Sequence, residues 1–224
     1  MAKVVIFGTG RGSDISYRYL TLDSPHEVVA FTVDHDYRSV DSFHDLPVID
    51  FEDIQNKFPP REFQMLVPLG FKRMNKVRQA KYMQVKEKGY TCVSYVSSTI
   101  PQLEKLQIGE NCLILDNQSI NFDVKVGNNV IMWSSNHIGD NSIIMDHVWI
   151  SSHACIAGNV TIKPFCVIGI NAAISHNVTV EEECFIGANT LIVGETYPKG
   201  VYLTENTKKA PLTSDKFIAM VQDY

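Results

Sequence analysis

The chain is short of positive charge. Its 20 Lys and Arg are outnumbered by 25 Asp and Glu, so the formal net charge is −5 and the pI lies near 5.8. Phosphate-backbone binding needs a basic face, so a nucleic-acid partner is excluded. No apolar run approaches the ~20 residues that span a bilayer. The opening MAKVVIFG has no signal-peptide layout. A soluble, cytoplasmic protein with no membrane partner is expected. Cysteine is sparse: there are five, and no CxxC occurs. Cys112, Cys166 and Cys184 share one slot of the repeat described next, Cys155 precedes another slot, and Cys92 sits in the apolar TCVSYV. They read as small hydrophobes in a reducing compartment, not as a disulfide or zinc set.

What the chain does have is a period. Every sixth residue from Ile108 to Ile192 is aliphatic, without a skip. Four residues after most of these stands a small or β-branched residue, as at Val124, Val130, Ser142, Ala154 and Val160. Six fits neither a 3.6-residue helix nor a half-buried strand. It fits a solenoid in which three short strands build one triangular coil of eighteen residues, so residues 99–196 should form five coils of parallel β-helix. Gln118 and Asn136 break the small apolar rule eighteen residues apart and should stack as a polar ladder inside the coil.

Residues 1–98 read differently. KVVIFG, EVVAFTVD, LPVIDF, QMLVPLG and TCVSYV look like strands, while SDISYRYLTL and KRMNKVRQAKYMQVKEKG look like helices. Alternation of this kind predicts a Rossmann-like α/β module with a short parallel sheet. Its first turn carries Gly8, Gly10, Arg11 and Gly12, and the second strand ends at Asp34 and His35. Glycines let the backbone approach a ligand, the helix N-terminus favours phosphate, and the acidic residue can accept from a ribose or a base edge. The spacing is GxGxG rather than GxGxxG, which favours a nucleotide or nucleotide-sugar over a nicotinamide dinucleotide. The bland alternative is a tight strand-to-helix turn with no ligand. Residues 197–224 should cap the last coil with a tail and a short helix from Thr213 or Ser214.

The hexads resemble the left-handed β-helix of hexapeptide-repeat acyltransferases. The whole chain resembles the nucleotide-sugar acetyltransferases of the bacillosamine-pathway, perosamine and sialic-acid types, most specifically in VVIFGTG, EVVAFTVD, WSSNHIGDNS, DHVWISSHACIAGNVTI and GINAAI. The resemblance implies a homotrimer that uses acetyl-CoA, with the N-terminal module holding a UDP-, dTDP- or GDP-linked sugar and the reaction in clefts between subunits. It also implies a histidine base two residues after an inward aliphatic. Here that slot holds Asp140, followed by Asn141. One coil later the column holds Gly158 and Asn159; coils stack roughly 4.8 Å apart, and by resemblance the Gly158 N–H is the oxyanion donor.

Candidates to replace the base are His137, Asp140 itself, acting directly or by orienting His137, and His147 and His153 on later turns, entering the cleft from a neighbouring chain. His176, two coils beyond Asp140, reads as a turn residue. Three histidines in seventeen residues suggest zinc, but they fall on different faces, so no metal is expected. Small residues suit a groove for the pantetheine arm: Gly158, Gly169, Ala172 and Gly187, with Asn159 beside them. Trp133 is placed against the acceptor or a subunit contact. A sugar hydroxyl needs a strong base, whereas a neutral amine does not, so loss of the histidine points to an amino-sugar acceptor and N-acetylation for a bacterial surface glycan. Alternatives are a sugar O-acetyltransferase, a catalytically impaired nucleotide-sugar-binding solenoid, and a nucleotidyltransferase, for which Arg11 alone is thin support.

Overall fold

The computed structural model describes residues 1–101 and 106–221. The segment SSTIPQLEKLQ, which by sequence joins the N-terminal module to the repeat, lies partly outside them. In the N-terminal module, β1 (Lys3–Phe7), β2 (Glu27–Val33), β4 (Leu46–Asp50) and β5 (Phe63–Leu66) pair in parallel, with β3 (Ser42–Phe43) antiparallel to β4 at the edge. The expected all-parallel sheet is therefore mixed. The cause is local: His44 and Asp45 both take left-handed φ, at 51° and 60°, which is the two-residue turn that closes a tight hairpin. Val4, Val5, Ile6 and Phe31 are buried because helices or the solenoid cover both faces of the sheet.

Helix α1 (Arg11–Leu22) packs through Ser13, Ser16 and Leu20, and the short α2 (Ile54–Lys57) through Ile54. Helix α3 (Lys76–Glu87) packs through Arg78, Tyr82 and Val85. It starts later than the amphipathic pattern suggests, because Arg73, Met74 and Asn75 are left-handed. TCVSYV, read as one strand of the module, is divided. Cys92 bridges Met65 on the module's sheet, while Tyr95–Val96 pairs with Leu113–Ile114 of the solenoid.

Fifteen two-residue strands from Gln107–Ile108 to Leu191–Ile192 fall on three faces, five to a face, in five coils. One face starts at Gln107 and one at Ser119; the third starts at Leu113 and is lengthened to seven strands by Tyr95–Val96 and Val201–Tyr202. Each rung pairs with the rung eighteen residues away, as Lys125 with Ile143 and His137 with Cys155. The inward aliphatics from Met132 to Ile192 and the small slots from Cys112 to Thr196 are buried throughout the stack. Burying each large aliphatic contributes about 1.5–3 kcal/mol.

The turns follow a second rule. Every sixth residue from Asn111 to Asn189 has φ between 56° and 68°. Asparagine fills most of these positions because its short polar side chain tolerates the left-handed region. His147 and His153 sit in this same slot.

The polar ladder is present, but it does not run from amide to amide. Gln118 Oε1 accepts from the Asn136 backbone N–H at 3.3 Å, and Asn136 Oδ1 from the Ala154 N–H at 2.7 Å. Ser142 does the same for Val160. Each inward polar group satisfies a backbone donor of the next coil, which is why it is tolerated in the core. Cys112, Cys166 and Cys184 are buried as expected, and Cys155 is exposed. Burial pushes the Cys92 and Cys112 thiols up to about 12.

The tail closes the stack only in part. Val201–Tyr202 adds a strand beside Phe185–Ile186, whereas helix α4 (Ser214–Val221) is exposed along its described length, Phe217, Ile218 and Met220 included. Among the described residues no helix is long and apolar enough to cross a membrane.

Candidate active site

The three corners of the solenoid have different surroundings. The corner through Asn129, His147 and Phe165 lies under α3. Arg78 is fully buried there. Its guanidinium donates to the carbonyls of Leu69, Gly70, Asn129, His147 and Val148 and to Asn75 Oδ1. Burial lowers its pKa to about 9, and the acceptors keep it cationic at neutral pH. Asn111, Asn129 and His147 form a side-chain ladder beneath it, at 2.8 and 2.9 Å. His147 also lies 4.9 Å from the Phe165 ring, and burial pushes its pKa down. His147 is thus held in the joint between module and solenoid. His153 lies at another corner, exposed, its N–H bonded to Ser134 O.

The remaining corner carries the column Phe122, Asp140, Gly158, His176 and Gly194, one residue per coil. Here the structure gathers Asp140, Asn141, Gly158 and Asn159, with His137 on the adjoining strand. The expected pairing of His137 with Asp140 is not made. His137 Nδ1 lies 3.2 Å from Ser119 Oγ, and Asp140 Oδ1 accepts from the Phe122 N–H at 3.1 Å, each turned to the preceding coil. The Asp140 carbonyl accepts from the Asn159 N–H. The Gly158 N–H donates to His176 Nδ1 at 3.2 Å, so the histidine read as a turn residue stands one hydrogen bond from the candidate oxyanion donor.

Glycine geometry separates repeat from site. A Cβ at Gly139 would lie 2.4 Å from the Gly158 nitrogen, and one at Gly169 2.6 Å from that of Ala188, so the stacking of coils requires glycine at both. At Gly158 the tightest backbone contact would be 3.3 Å. Packing demands glycine less strictly there; the residue is buried and its N–H is taken by His176. Beside His176 a groove of about 770 Å³ extends past Thr161, Lys163, Glu195 and Tyr197 along the later coils. It could take an extended thioester arm. Of the small residues assigned to such a groove, Ala172 is corrected: it points into the solenoid core and is fully buried. Gly169 and Gly187 lie at a different corner from Gly158 and Asn159, so they do not share a groove wall with them in one chain.

In the module, the glycines also divide. A Cβ at Gly8, where φ is 103°, would meet Ser13 Oγ at 2.7 Å, and one at Gly12 would meet Pro68 O at 2.2 Å. A Cβ at Gly10, the α1 N-cap, would meet nothing within 4 Å among the described residues, so this glycine stands open to a ligand. Arg11 lies over the Trp133 ring at 5.7 Å, and Trp133 packs on Trp149 with its indole N–H buried and without a partner among the described residues. Asp34 accepts from Lys81 Nζ at 2.5 Å. His35 pairs with Asp50 at 2.9 Å, which raises the imidazole's pKa and lowers the carboxylate's. Asp34 and His35 therefore end β2 in a charged cluster rather than as free groups. No group of three or more potential metal ligands occurs among the described residues.

The architecture is an α/β module followed by a left-handed β-helix. Solved structures share it at low sequence identity. A mutant of perosamine N-acetyltransferase from Caulobacter crescentus, in complex with CoA and GDP-perosamine, matches with a TM-score of 0.76 at 18% identity, over 88% of this chain and 92% of that one. The acetyltransferase domain of PglB from Neisseria gonorrhoeae FA1090 matches at 0.73 and 18%, over 90% and 96%. WeeI from Acinetobacter baumannii AYE matches at 0.71 and 15%, over 90% and 94%. No family model and no curated protein sequence matches the chain.

Proposed function

We propose that the chain is an acyltransferase that moves an acetyl group from acetyl-CoA to the amine of a nucleotide-linked deoxyamino sugar, in the synthesis of a bacterial surface glycan. The observation that carries this is the column Asp140–Gly158–His176, in which the Gly158 N–H is held by a side chain rather than by the backbone, with a groove alongside. The structural neighbours support it, since one is a perosamine N-acetyltransferase bound to CoA and GDP-perosamine. Residues 1–98 would hold the nucleotide at Gly10 and Arg11, residues 99–196 would carry the transfer, and residues 197–224 would close the stack. A homotrimer would bring a second chain against the corner that carries this column. Acetyl-CoA is here the acyl-donor substrate: its thioester oxygen would accept from the Gly158 N–H, and charge developing on that oxygen is what a fixed donor stabilises.

The amine preference follows from when the proton must leave: a sugar hydroxyl needs a base as it attacks, whereas an amine attacks in its neutral form and gives up its proton only afterwards. Thiol release from acetyl-CoA should be measured with UDP-, dTDP- and GDP-linked 3- and 4-amino sugars beside their hydroxyl counterparts. Turnover should be at least about 10²-fold faster with one amine than with its matched alcohol, the scale of a positioned general base. Transfer confined to hydroxyl acceptors would refute the reading in favour of O-acetylation, and no CoA binding by calorimetry would leave only a binding protein.

A further inference from the structure

We propose that His176 is the proton acceptor of the transfer, held in reserve by the Gly158 N–H until the thioester arrives; this rests on the acyl-transfer reading above. Its basis is the 3.2 Å bond from that N–H to His176 Nδ1. A ring nitrogen that accepts carries the lone pair, so the neutral imidazole keeps its proton on Nε2.

The bond belongs to a pattern of the fold. At corner tips the side chain accepts from the N–H one coil earlier: Asn128 from Glu110, Asp146 from Asn128, Asp140 from Phe122. The His176 rung differs from these in two ways. Its acceptor is an imidazole, which can take up a proton and pass it on, and its donor is the N–H of a glycine, the residue that leaves least side chain between that N–H and the groove. The other candidates are engaged elsewhere. Asp140 and His137 face the preceding coil, His147 is packed under α3, and His153 lies at a different corner.

A thioester oxygen that takes the Gly158 N–H displaces Nδ1 and frees its lone pair within one hydrogen bond of the reacting carbon's oxygen. The amine nitrogen then forms the C–N bond while the carbonyl π pair moves to oxygen. The resulting ammonium passes one proton to Nδ1. The oxyanion pair re-forms C=O, the C–S bond breaks, and sulfur leaves with its electron pair. Imidazolium gives the proton to the thiolate, so the products are amide and CoA thiol, with His176 neutral again. The titratable groups around this rung are Asp140 in the column, Lys163 and Glu181, which pair with each other at 2.8 Å, and Glu195 and Tyr197 across the groove.

The test uses the full chain with acetyl-CoA and the amino-sugar nucleotide that the wild type accepts. In His176→Asn the amide oxygen can still accept from Gly158, so the turn is preserved while the base is removed. Its kcat should fall about 10²-fold or more, the usual weight of general-base catalysis, with CoA affinity and Tm unchanged. His176→Ala should show the same kinetic loss, so the effect does not depend on the asparagine's own contacts. A His176→Asn kcat within threefold of wild type overturns the proposal and leaves acyl transfer standing. A wild type that binds no CoA and transfers to no amine removes both.

Discussion

Replacing Arg78 with methionine is expected to lower the unfolding free energy by about 3–5 kcal/mol, the range for breaking a buried charged network. The methionine fills a similar volume but donates nothing. The carbonyls of Leu69, Gly70, Asn129 and His147 are then left facing an apolar side chain, as is Asn75 Oδ1. Each buried acceptor stripped of its donor costs ~1–3 kcal/mol, less where water can enter. Lysine should recover little, because one ammonium with three donors cannot reach acceptors spread over the 69–75 segment and two coils of the solenoid. Urea unfolding of wild type, Arg78→Met and Arg78→Lys at one protein concentration would check this. A loss below about 1 kcal/mol for methionine would mean that the buried guanidinium does not hold the module on the solenoid.

The second large effect is expected inside the β-helix. Ile120, Ile138, Ile156, Ile174 and Ile192 form one inward column on the face that carries His137. Ile156→Ala should cost about 2–5 kcal/mol, because a fully buried rung between two filled rungs cannot collapse around the cavity. Ile192→Ala, at the last rung of the same face, should fall at or below the lower end of that range. Ile192 has a neighbouring rung on one side only, and solenoid stability is summed over neighbours. Equal losses at the two positions would contradict a stack with nearest-neighbour packing. Protein concentration must be fixed in the comparison, since association of chains adds its own stability.

Much of the fold is readable in the chain because a solenoid writes its geometry as a period. The inward slots at Ile156 and Val160 follow from spacing alone, and so does the correction at Ala172: it stands four residues after Ile168, which is itself the inward slot. The left-handed slot is written just as plainly in Asn111, Asn117, Asn129, Asn141 and Asn159. Asp123, Ser135, Phe165, Glu183 and two histidines interrupt that run, so His147 and His153 look like chemistry when they fill a turn position. Arg78 was hidden for another reason. An arginine on an amphipathic helix is usually solvated, and only its register with Tyr82 and Val85 on the buried face signals otherwise. His176 lies two coils from Asp140 by counting, yet one coil from Gly158. The bond that matters runs between adjacent coils, where the eighteen-residue spacing places it; what spacing cannot give is which way the imidazole turns.

The most direct test of acyl transfer at this corner is a crystal structure of the chain with a non-hydrolysable acetyl-CoA analogue. The analogue's carbonyl oxygen should accept from the Gly158 N–H, with the sulfur beside Asp140 and the His176 ring released from that bond. An analogue bound with its acyl group at the His147 or His153 corner, or away from the solenoid altogether, would contradict it.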